Sequence, residues 1–87
     1  MVSQSFRITN AIGIHMKPAE MLVSAIKDLD AEMTVHFKGM DINAKSIMIL
    51  MAACIRYGDE IEVSCEGPDE EMALQAVAKL IQSEFEQ

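Results

Sequence analysis

Gly13-Ile14-His15-Met16-Lys17-Pro18-Ala19 joins a glycine turn, an imidazole and a cation at the point where an alternating strand pattern gives way to a helical one. A neutral imidazole is nucleophilic near physiological pH, so one ring nitrogen of His15 can accept a phosphoryl group. The phosphoramidate so formed is reactive and can pass the group on. A helix mouth suits the anion, because its first backbone N–H groups lack intrahelical partners and the helix dipole is positive there. The N–H groups of Met16 and Lys17 fall in that place, and the Lys17 ammonium adds a point charge. Read from the residues alone, His15 is either such an acceptor or a polar helix cap.

Ser46 opens a second, shorter helical stretch. As a plain N-cap it stabilises by about 1 kcal/mol over alanine. As a phosphorylation site it would place up to about two negative charges where the helix dipole welcomes them, so regulation would act through surface charge and not through unfolding. The following Ile47-Met48-Ile49-Leu50-Met51-Ala52-Ala53-Cys54-Ile55 is apolar all round. A short surface helix buries one stripe, so some of these side chains are left for a partner, and Ile47, Met48 and Met51 are the expected docking patch.

The elements that position these residues follow from hydrophobic period. Val2 to Ile8 alternates and predicts a strand. His15 to Lys27 predicts a helix with Ala19, Leu22, Val23 and Ile26 on one face. Met33 to Phe37 and Met40 to Asn43 predict a hairpin turning at Lys38-Gly39. Ser46 caps a helix to about Ala53, Glu60 to Glu66 forms the cleanest strand, and Asp69 to about Glu84 forms the last helix, with Ala73, Leu74, Val77, Leu80 and Ile81 as its buried stripe. The order is βαββαβα. One polar and one covered sheet face predict an α+β fold, a four-stranded, mainly antiparallel sheet with three helices on one side.

The chain of 87 residues reads as one domain, 1–87, with a modest core. Its net charge of −7 argues against nucleic acid, which rewards clustered Lys and Arg. The acids crowd the C-terminal third. Upstream, Lys17, Lys27, Lys38, Lys45 and Arg56 roughly balance them, so Lys27 and Lys45 join the surface expected to meet an acidic partner. Val2 to Ile8 is too short and polar for a signal segment, and no apolar run is long enough for a membrane span. Cys54 and Cys65 form no CxxC pair, so the expected setting is cytoplasmic, with reduced thiols. His36 is expected on the polar sheet face, merely solvated. A His15, His36, Cys54 and Cys65 metal site lacks any known ligand spacing, and neither a metal nor a cofactor is expected.

The chain resembles the HPr family, the histidine-containing phosphocarriers of the bacterial sugar phosphotransferase system. The resemblance spans essentially the whole length. It rests on Gly13-Ile14-His15 with Pro18-Ala19, on Asn43-Ala44-Lys45-Ser46-Ile47-Met48, on Gly58-Asp59, and on Glu66-Gly67-Pro68-Asp69-Glu70-Glu71. It implies an open-faced β-sandwich with sheet order 1-4-2-3. It implies that His15 takes a phosphoryl group from phospho-enzyme I and hands it to IIA domains of sugar permeases, with Lys17 as the basic partner of the phosphate. Ser46 corresponds to the serine modified by HPr kinase/phosphorylase, after which the family binds a catabolite repressor protein. Ile47, Met48 and Met51 correspond to the family's docking patch. The protein would then be a stoichiometric carrier and not an enzyme, and a monomer is the simpler expectation. A regulatory paralogue acting mainly through Ser46, and a structural domain with neither activity, are the alternatives. The sequence departs from the family pattern at Lys17, where arginine is usual, and at Ile12, Met16, Glu20, Ile49 and Cys54.

Overall fold

The computed structural model describes residues 1–86 and contains β1 (Val2–Arg7), α1 (Met16–Ile26), β2 (Glu32–Phe37), β3 (Met40–Asn43), α2 (Ile47–Ala52), β4 (Glu60–Glu66) and α3 (Glu70–Gln82). The strands form one antiparallel sheet in the order β1-β4-β2-β3. Register follows the alternation. Phe6 lies opposite Ile61, and Val35 lies opposite both Val63 and Ile42, which places apolar side chains from all four strands on one face. A shift of one residue would turn each set to solvent.

The helices cover that face. Ala19, Leu22 and Ile26 from α1, Leu50 from α2, and Ala73, Val77 and Ile81 from α3 join Met33, Val35, Val63 and Cys65 in a single core. Val23, Leu74 and Leu80, expected on the buried stripes, are only partly buried and pack at its edge. The β2–β3 turn is a two-residue loop with Lys38 at φ 49° and Gly39 at φ 79°, the positive pair that matches strand twist. Strand β1 ends at Arg7, one residue before the expected limit, yet Ile8 is fully buried and its N–H donates to Asp59 O at 2.9 Å.

The other sheet face is polar, and His36 on it is more than solvated. Its Nδ1 lies 2.7 Å from Asp41 Oδ1 and its Nε2 lies 2.9 Å from Ser64 Oγ. Side chains from β3 and β4 flank the ring from either side because β2 runs between those strands, a relation absent from the local sequence.

Candidate functional site

His15 stands at the N-cap of α1 with extended backbone, φ −103° and ψ −162°. Its ring is exposed, and its side chain makes no capping hydrogen bond. The plain-cap reading of this residue therefore has no support in the geometry. Helix α1 begins at the next residue, so the N–H groups of Met16 and Lys17 have no acceptor among the described residues. The following position is Pro18, which has no N–H and is tolerated in the first turn for that reason. Two free donors, an exposed imidazole and the exposed Lys17 ammonium, which is in no ion pair among the described residues, thus converge on one helix mouth.

The loop behind His15 is braced. Asn10 Nδ2 donates to Gly13 O at 2.7 Å, Gly13 N donates to Asn10 O at 3.1 Å, and the His15 N–H donates to the same Gly13 oxygen at 3.1 Å. His15 Nδ1 sits 3.2 Å from that oxygen as well. A carbonyl oxygen only accepts, so in this contact Nδ1 carries the proton, and in the neutral ring the lone pair lies on Nε2. The contact is longer than the usual 2.9–3.0 Å or so. Asn10 was missed by sequence reading. Its one local signal was an asparagine three residues ahead of a glycine in a turn.

Gly13 itself is required by packing. Its φ is +79°, and a β-carbon there would lie 2.5 Å from Ile55 O and 2.7 Å from Arg56 Cα. Ile14 N donates to Ile55 O at 2.9 Å, and Gly58 N donates to Ile8 O at 2.7 Å. The segment after α2 is therefore fastened to the loop that carries His15. A shallow depression beside the imidazole is lined by Asn10, Ile12, His15, Lys17, Glu84 and Phe85, which brings the residues that follow α3 to the site. Nothing in the local pattern of residues 84 and 85 announced that approach.

Ser46 caps α2, accepting from Ile49 N at 3.3 Å, as expected. The apolar surface of this helix differs from expectation. Met48 is 80 % exposed and Ile49 is half exposed, while Ile47 and Met51 are half-buried against the core. Leu50 points inward, which draws Ile47 and Met51, three residues before and one after it, toward the protein and turns positions 48 and 49 out. Helix α1 packs against α2, and Ile12 and Met16 before and at its start are exposed too. Lys27 and Lys45 are both exposed. They line a cavity of about 490 Å³ with Val23, Asp30, Glu32 and Glu66, and Lys45 Nζ is paired with Glu32 at 3.5 Å. Cys65 is buried in the core and Cys54 is exposed, so the four residues weighed as metal ligands are spread over different parts of the fold.

Known proteins share this fold. The family model for the PTS HPr component phosphorylation site matches residues 2–83. Phosphocarrier protein HPr of Treponema pallidum is 39 % identical over 87 residues, covering 100 % of this chain and 99 % of the relative. The crystal structure of HPr-C-His from Thermoanaerobacter tengcongensis superimposes with a TM-score of 0.93 at 34 % identity, covering 100 % of this chain and 99 % of that one. An HPr dimer from the same organism matches with a TM-score of 0.78 at 33 % identity over the full length of both chains. A chain matched this closely over its whole length, with the same open four-stranded sheet, belongs to the HPr family of phosphocarriers of the phosphotransferase system.

Proposed function

We propose that this protein carries a phosphoryl group on His15, taking it from phospho-enzyme I and delivering it to IIA domains of sugar permeases. The observation that supports this most is the exposed imidazole beside the unbonded Met16 and Lys17 amides. An imidazole nitrogen attacks phosphorus as the donor bond breaks. The two amides and the Lys17 ammonium hold the phosphoryl oxygens, so the group is bound without a built water-activating base. In the reverse sense the P–N bond breaks toward the acceptor, and the ring returns to its neutral form. The partners supply most of the catalysis, which makes the protein a carrier and not an enzyme.

Met48, Ile49 and Met16 supply exposed apolar surface for docking, with Ile47 and Met51 contributing their accessible edges. Ser46 is the proposed regulatory phosphorylation site for HPr kinase/phosphorylase, with a catabolite repressor protein as the phospho-dependent partner. Its hydroxyl accepts one hydrogen bond and sits at a dipole-positive end, so added phosphate would leave α2 intact. The protein works in the cytoplasm and as a monomer in this reading. Size-exclusion chromatography tests the latter against the dimeric form seen in a relative.

The deciding experiment incubates the protein with phosphoenolpyruvate and enzyme I. An acid-labile, base-stable phosphate that disappears in His15→Ala is expected. A folded protein that takes no such phosphate would overturn the carrier reading and leave the Ser46-dependent regulator in its place.

A further inference from the structure

The polar face of the sheet holds a second arrangement able to do chemistry. Ser64 on β4, His36 on β2 and Asp41 on β3 form a hydrogen-bonded row across three strands, Ser64 Oγ to His36 Nε2 at 2.9 Å and His36 Nδ1 to Asp41 Oδ1 at 2.7 Å. The tautomer follows from the partners. An ionised carboxylate only accepts, so Nδ1 carries the proton, and in the neutral ring Nε2 presents its lone pair to the Ser64 hydroxyl. Hydroxyl, base and orienting carboxylate are thereby in the relation that activates a serine nucleophile. Sequence reading gave none of these three residues a role, and none of them belongs to the His15 site.

We infer that Ser64 is a nucleophile, activated by His36 and oriented through Asp41, that becomes acylated by activated acyl esters. Ser64 Oγ attacks the acyl carbonyl carbon as its proton passes to His36 Nε2. The bond from that carbon to the leaving alkoxide or phenolate then breaks, and the electron pair departs with the leaving group. The imidazolium, held by Asp41, returns its proton to solvent, and the acyl group stays on Ser64 as an ester. The reaction stops there. Strand β4 lies between β1 and β2, so its backbone donors are committed to the sheet ladders and neither step has a pair of free N–H groups for its oxyanion; the activated ester's good leaving group carries the first step, and the serine ester, whose leaving group is poor, persists. Ser64 is thus a self-acylating modification site on the face opposite the helices, independent of phosphoryl transfer at His15.

The test uses p-nitrophenyl acetate on the full chain, followed by peptide mapping. The tryptic fragment from Tyr57 to Lys79 contains Ser64 as its only serine and no histidine, so fragmentation separates acetyl-Ser64 from adducts on His15, Tyr57 or Cys65. Acetyl-Ser64 is expected, and His36→Ala should slow its formation by about 100-fold or more, the ordinary scale of general-base assistance. Asp41→Asn, at an exposed position on the edge strand, should slow it by about 10-fold or more, and ring ¹⁵N shifts should show the His36 proton moved to Nε2. Absence of acetyl-Ser64, or an unchanged rate in a folded His36→Ala protein, sinks the proposal. Should His36→Ala fail to fold, an unchanged rate in Asp41→Asn does the same.

Discussion

Gly13 lies so close to Ile55 that a β-carbon on it would meet the Ile55 carbonyl oxygen at 2.5 Å, and the next residue, Ile14, donates its N–H to that same oxygen at 2.9 Å. The glycine two residues ahead of His15 therefore answers two demands, a positive φ and contact with the backbone that follows α2. Gly13→Ala should destabilise by about 2–4 kcal/mol, the sum of a left-handed alanine and a backbone clash. Urea unfolding monitored by circular dichroism measures this, and an unchanged midpoint would show that the loop yields freely.

Cys54 sits just past the end of α2 at φ 57°, where glycine is the residue without steric cost. Its N–H donates to Met51 O at 3.1 Å, closing the last turn. Cys54→Gly should therefore stabilise by about 0.5–1 kcal/mol, the left-handed penalty relieved less the extra freedom of the unfolded chain. A lower thermal midpoint in the variant would contradict this.

In the proposed carrier role, Lys17 would offer the phosphoryl group a point charge where an arginine would offer a planar fork. Lys17→Arg should quicken transfer from phospho-enzyme I. Lys17→Ala should slow it by about 10-fold or more, since hydrogen bonds to charged groups contribute about 1.5–3 kcal/mol. Rapid-quench measurement with each variant decides both, and equal rates across the three would remove Lys17 from the site.

The Glu70 carboxyl is held below the usual carboxylate range, first by the Gly67 N–H donating to it at 3.2 Å and then by the N-terminal ammonium of Met1, 3.2 Å away. A depressed folded-state value means that the contribution is complete above the ordinary carboxylate range and is lost as pH falls through the lowered one. Thermal midpoints followed from neutral pH down into acid should therefore fall less steeply for Glu70→Gln than for the parent. Parallel curves would show that the carboxylate is not linked to folding.

The two thiols should behave differently. Cys65 is wholly buried on β4, and burial, assisted by the Glu70 charge, pushes its thiol up from the ordinary value, whereas Cys54 is exposed. The thiolate is the reactive form. A disulfide reagent such as Ellman's should titrate one thiol in the native protein and two after unfolding in urea. Rapid reaction of both without denaturant would mean that the core opens around β4.

Much of the architecture was readable from period alone. Alternation in Glu60 to Glu66 and Met40 to Asn43 set both strands to the residue, and the Ser46 cap is a property of four consecutive positions. Such features are legible because burial on one face repeats every two residues in a strand and every three to four in a helix, whatever the rest of the chain does. The sheet order came from family resemblance, since alternation says which face is buried but not which strand is the neighbour.

The site divides in the same way. A histidine before a helix, with a cation two residues on, was visible as a string of letters. Its exposure, the Asn10 brace and the approach of residues 84 and 85 were not, and neither was the exchange of Ile47 and Met51 for Ile49 in the outward surface of α2. Nor could local pattern say that His36 would bind Asp41 on one side and Ser64, 28 residues away, on the other. Several of these relations join segments far apart along the chain, and the short ones, Asn10 to Gly13 and His36 to Asp41, depend on how the loop and the hairpin are held. They exist only once the core has closed and placed each backbone against its neighbours, so packing, which is a property of the whole molecule, made those choices.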